Sequence, residues 1–117
     1  MSKTLTAGEH KLVFTREVND RIADDNKFAA FVWKSLLRFN RGDWGNVSPN
    51  SWEANDADLE SLNNGLTDAR ILADYKGNYI PKWPFNLNEL PDRVWITRNV
   101  AESDGTQAIT VLFPDEY

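Results

Sequence analysis

The apolar positions change period several times along the chain, and each change marks an element. From His10 to Val18, Leu12, Phe14 and Arg16 alternate with Lys11, Val13 and Thr15. This alternation, with its β-branched and aromatic content, predicts a strand with one buried face. The period then becomes helical. Phe28, Val32, Leu36 and Phe39 fall on one face of a helix that starts at an Asp24 or Asp25 cap and runs to about Asn40. Ala29 lies beside them, and Trp33 and Leu37 widen the apolar arc on one flank. Gly42 is placed to end this helix in the left-handed conformation. Gly42-Asp43-Trp44-Gly45 predicts a tight turn whose indole folds back on the core.

Ser48-Pro49-Asn50 opens a second helix: proline suits the first turn, and Asn50 with Glu53 three residues on forms a capping-box-like pair. Trp52, Leu59 and Leu62 share its apolar side, and it ends near Asn63-Asn64-Gly65. From Ala69 to Tyr75, Ile71, Ala73 and Tyr75 alternate with Arg70, Leu72 and Asp74, which predicts a strand covered in part on both faces. Lys76 to Asp92 interleaves Pro81, Pro84 and Pro91 with Tyr79, Trp83 and Phe85, the pattern of an ordered loop packed on the domain. Arg93–Val100 and Gln107–Phe113 alternate as two strands, joined by a hairpin turn at Asp104-Gly105 and stopped at Pro114.

The order β-α-α-β-β-β predicts one α+β domain over residues 1–117. Its expected form is a mostly antiparallel sheet of about four strands with two helices packed on one face. Trp95, Thr97 and Leu112 point away from Val94, Ile96 and Val111, leaving the second sheet face partly apolar.

Composition supports an independent fold: 41% of the 117 residues are hydrophobic and 12% aromatic, enough for a core. The absence of cysteine excludes disulfides, a thiolate nucleophile and Cys-based metal sites, and suits a reducing cytoplasm. Residues 1–14 hold no apolar signal core, and the longest apolar run is Phe28–Trp33, so no signal peptide, membrane span or membrane partner is expected. A net charge of −5 hides an asymmetry. Residues 1–41 hold eight bases against five acids, +3, and the remainder holds five against thirteen, −8.

Enzyme signatures are weak. His10 is the only histidine and reads as a solvated strand-end residue, with no second base for a nucleophilic triad and no set of metal ligands. Gly42-x-x-Gly45 is too short for a phosphate loop and follows a helix. Asp56-x-Asp58-x-Glu60 has Ser61 and Thr67 where a calcium loop needs glycine and glutamate. No enzymatic activity, cofactor or metal is expected. Two features point to binding. Lys27, Lys34, Arg38 and Arg41 fall in a narrow stripe on the polar side of the first helix, where they could meet phosphates with Trp33 nearby for stacking. Glu53, Asp56 and Glu60 edge the second helix, with Asp58 between them and Asp115 and Glu116 in the tail. Such an acidic surface could enter a nucleic-acid groove of another protein; solvated faces that confer solubility are the plainer account of both features.

Several segments together resemble a family of small proteins labelled plasmid-related, found on plasmids, phages and other mobile elements. The likeness rests on Val18-Asn19-Asp20-Arg21-Ile22-Ala23, Gly42-Asp43-Trp44-Gly45, Arg70-Ile71-Leu72 with Tyr75, Val94-Trp95-Ile96-Thr97 and the ending Leu112-Phe113-Pro114-Asp115-Glu116-Tyr117. It covers most of the chain, although the loop over residues 76–92 is longer here than in the family pattern. The resemblance implies accessory cargo, of the kind that works against host defence. Two expectations follow. The first is an anti-restriction or anti-CRISPR inhibitor that presents Glu53, Asp56, Asp58, Glu60, Asp115 and Glu116 to a host nuclease or effector. The alternative is a nucleic-acid-binding accessory protein that uses Lys27, Lys34, Arg38 and Arg41.

Overall fold

A computed structural model describes residues 10–77, 93–100 and 105–117. The elements in chain order are β1 (His10–Phe14), α1 (Arg16–Asp24), α2 (Asn26–Asn40), α3 (Pro49–Asn63), β2 (Arg70–Lys76), β3 (Arg93–Val100) and β4 (Gln107–Leu112). A short 3-10 turn follows at Pro114–Glu116. The class is α+β, but among the described residues the helices number three and the four-stranded sheet is mixed, ordered β1-β4-β3-β2. β2–β3 and β3–β4 are antiparallel, whereas β1 pairs with β4 in parallel.

The missed helix is α1. The strand expected over His10–Val18 ends at Phe14 because Thr15 caps a helix, its hydroxyl accepting from the Val18 N–H. Val18 is buried and Ile22, one turn on, packs against the core. Asp25 then ends α1 and caps α2, accepting from the N–H groups of Lys27 and Phe28 at 3.0 and 3.1 Å. α3 begins one cap earlier than the Asn50–Glu53 pairing predicts: Ser48 accepts from the Ser51 N–H at 3.2 Å, and Pro49 occupies the first turn.

The strand registers place Ile71, Ala73 and Tyr75, Val94, Ile96 and Arg98, and Ile109 and Val111 on one sheet face. The apolar members of that set join Val18, Phe28, Val32, Phe39, Leu59 and Leu62 in one core. On α2 the apolar arc is wider than the surface it buries. Trp33 stays 57% exposed and Leu37 63%, although both flank buried positions. Trp95, Thr97 and Leu112 lie on the opposite sheet face, as the alternation predicts. The expected loop over residues 76–92 and the Asp104 position of the hairpin lie outside the described residues, beyond Lys76 and Gly77. Among the described residues no helix is long and apolar enough to cross a membrane.

Candidate functional site

The turn between α2 and α3 fixes the two helices that carry the candidate residues. Gly42 and Gly45 adopt φ of 77° and 74°, a region that side chains with a Cβ avoid. Between them Trp44 is wholly buried, edge-on to Phe39, with its indole N–H donating to the Asp56 carboxylate at 3.0 Å. The backbone of the same turn lies along the outer edge of β2. The Asp74 N–H donates to the Trp44 carbonyl at 3.2 Å, and the Asn46 N–H donates to the Asp74 carbonyl at 2.6 Å. One residue pair away, the buried Asn55 of α3 satisfies both backbone groups of Leu72. The edge that β2 would otherwise offer to a neighbouring chain is occupied from within.

Arg38 and Asp43 lock this turn. The guanidinium donates through Nε and Nη2 to the two carboxylate oxygens at 2.8 and 3.2 Å, and its plane lies over the Tyr75 ring. Asp43 also accepts from the Gly45 N–H, and the Tyr75 hydroxyl donates to the Asp43 carbonyl at 2.6 Å. The hydrogen bond from Arg38 holds the Asp43 carboxyl below its ordinary range, and the reciprocal bond raises Arg38. Burial above all pushes the Tyr75 phenol up, so it stays a neutral donor.

Of the four basic candidates, Lys27, Lys34 and Arg38 line one groove along α2, and Lys76 from β2 joins them there. Lys76 was not foreseen, because its place beside α2 depends on the packing of two distant segments. Arg38 is committed to Asp43, and Arg41, though exposed, is outside the groove lining.

The six acidic candidates divide. Asp56 holds the Trp44 indole, and Glu116 accepts from the Thr15 hydroxyl at 2.9 Å and the Phe113 N–H at 2.8 Å. Both serve the fold. Glu53 and Glu60 are exposed on α3, and Asp115 is exposed in the terminal turn. Asp58 lies on the other flank of α3, where it lines a cleft with Arg70 and Tyr117. The structure therefore gathers Glu53 and Glu60 on one stripe and sets Asp58 and Asp115 apart from it.

Residues for acid–base or metal chemistry do not converge. Among the described residues no group of three or more His, Asp or Glu side chains is placed to hold a metal ion. The calcium-like spacing Asp56-x-Asp58-x-Glu60 lies within helix α3, so these side chains do not wrap a loop. His10 is half-buried rather than solvated, its Nε2 is enclosed without a partner, and its pKa is lowered, first by burial and then by Arg98. Arg98 itself is wholly buried on the core face of β3. It donates to the side-chain oxygens of Gln107 at 2.5 Å and Asn63 at 3.1 Å, both neutral, and burial lowers its pKa to about 10. Gln107 in turn donates to the Leu62 carbonyl, tying α3 to the sheet. A polar residue in the apolar phase of β3 was the sequence signal for this cluster. No family model, curated protein or solved structure matches the chain.

Proposed function

We propose that this chain is a non-enzymatic accessory protein of a mobile genetic element. It acts in the cytoplasm as a counter-defence inhibitor, placing the acidic surface around α3 in the basic nucleic-acid channel of a host nuclease or CRISPR effector. The carrying observation is the one-signed charge of residues 42–69. That segment holds Asp43, Glu53, Asp56, Asp58, Glu60 and Asp68 and no lysine or arginine. Asp43 is paired with Arg38 and Asp56 holds the Trp44 indole, whereas among the described residues the carboxylates of Glu53, Asp58 and Glu60 take part in no hydrogen bond or ion pair. Glu53 and Glu60 share one stripe of α3, where their like charges repel in the free protein and a cationic channel relieves that repulsion. The locked turn at Arg38 and Asp43 keeps the helix from yielding.

The resemblance to plasmid-related proteins supports the biological setting, and the placement of Glu53 and Glu60 supports the surface. Plasmid or phage survival in a restricting host tests the reading. The wild-type protein protects, and the combined Glu53→Lys, Asp58→Lys and Glu60→Lys variant loses protection while still folding. Unchanged protection by that variant rejects nucleic-acid mimicry.

A further inference from the structure

We infer that the groove between α2 and β2 binds the phosphate backbone of single-stranded nucleic acid, a second contact independent of the acidic surface. Its volume is about 550 Å³, and Lys27, Lys34 and Lys76 bring three ammonium groups to it from two elements. Phe31 and Ser35 contribute to the same lining, and among the described residues no carboxylate does. Of the nearest acids in sequence, Asp25, Asp43 and Asp74 are engaged elsewhere, Asp74 with Arg93 at 2.7 Å, and Asp24 is exposed outside the groove lining. Asp25 caps the N-terminus of α2 and sits 3.8 Å from Arg21, and Asp43 is paired with Arg38. No ion pair neutralises Lys27, Lys34 or Lys76 among the described residues.

Lysines that cluster without counter-charge repel one another, and an anion that spans them removes this cost. The overall charge of −5 does not prevent it. At about 0.1 M salt the field of acids more than roughly 10 Å away is largely screened. An exposed aromatic ring beside the groove selects the kind of polyanion. Trp33 flanks the groove outside its lining, about a quarter turn of α2 from Lys34, and is 57% exposed, so a base of a strand whose phosphate meets Lys34 can reach its ring. A duplex, whose bases are already stacked, cannot use that ring. Arg38 contributes shape to the groove and no free donor fork, because Asp43 occupies it.

Fluorescence anisotropy of a labelled oligothymidylate of about 15 nucleotides tests this. The full chain binds it at micromolar concentration in low salt, with a slope of log affinity against log salt of about −2 for three neutralised phosphates. Lys34→Ala combined with Lys76→Ala weakens binding at least about tenfold, and Trp33→Ala weakens it about tenfold for the single strand. Arg41→Ala, outside the groove, leaves it unchanged. No complex at about 100 μM protein, or affinity untouched by the double lysine variant, overturns the proposal. Equal affinity for polyglutamate of matched charge, or for a duplex, also overturns it, in favour of an unselective cationic patch. All four substitutions fall at solvent-exposed side chains, so circular dichroism spectra matching the wild type accompany each result.

Discussion

The side-chain amide of Asn55 closes both backbone valences of Leu72: Nδ2 donates to the carbonyl at 2.8 Å, and Oδ1 accepts from the N–H at 3.3 Å. A helix side chain here takes the place of a fifth strand. The amide is the only side chain of this length with one donor and one acceptor in that geometry, glutamine being a methylene longer. Asn55→Ala leaves two enclosed backbone groups without partners at the β2 edge and costs about 2 kcal/mol. Urea unfolding checks this, with a lower midpoint and an unchanged slope as the expected outcome.

Gly45 faces a tighter constraint two positions along the same edge. A Cβ there would lie 2.1 Å from the Asp74 carbonyl oxygen, at a φ of +74°. Neither the backbone oxygen nor the turn can yield without breaking the bridge to β2. Gly45→Ala costs at least about 2 kcal/mol and loosens the turn. Gly65→Ala is the comparison, since φ there is +81° but nothing lies within 4 Å of the added carbon. That substitution costs about 1 kcal/mol, from backbone strain alone. Melting temperatures of the two variants should rank accordingly.

Arg98 reverses the usual ranking of charged and neutral substitutions. Its buried guanidinium rests on two neutral oxygens and no carboxylate, so its burial is poorly compensated. Gln107→Leu removes one of those oxygens while leaving the cation in place, and costs about 3 kcal/mol. Arg98→Met replaces the cation with an apolar chain of similar length and leaves only neutral amide oxygens, those of Gln107 and Asn63, without this donor, so it costs less, about 1–2 kcal/mol. Greater damage from the arginine substitution than from the glutamine one would contradict this account of the cluster.

The Arg38–Asp43 pair gives the turn a pH dependence of definite sign. Asp43 is held below its ordinary value of 3.8, so its contribution to stability is complete above that value and is lost as pH falls through the lower folded value. Both side chains keep more than a third of their surface in water, which limits the size of the effect. Asp43→Asn should be less stable than the wild type at neutral pH, and the gap should begin to narrow below about pH 4 and close only below the lower folded value. Thermal unfolding at a series of pH values measures it.

These relationships divide into those that local sequence carries and those that only packing creates. Alternation at Val94 and Ile96 against Trp95 and Thr97 marks β3 and its faces, and Asp25 marks the start of α2, because each signal is a property of adjacent residues. The parallel pairing of β1 with β4 carries no such signal, since Phe14 and Val111 become neighbours only when the intervening elements fold. α1 was hidden because His10–Val18 also alternates, and the cap at Thr15 outweighs that pattern once Val18 and Ile22 find the core. At the candidate surfaces, residue type was legible and availability was not. Arg38 and Asp56 sit at the expected helix edges, yet Asp43 and Trp44 engage them. Lys76 reaches the α2 groove through tertiary packing alone.

The proposed contact between the α3 carboxylates and a protein partner can be observed directly. Its most direct measurement is affinity capture from nuclease-treated host lysate, comparing the wild type with the Glu53→Lys, Asp58→Lys and Glu60→Lys variant at low and high salt. A host nuclease or effector subunit should be retained by the wild type at low salt, released as salt rises, and not retained by the variant. Retention of the same nuclease or effector by both proteins, or retention indifferent to salt, would contradict it.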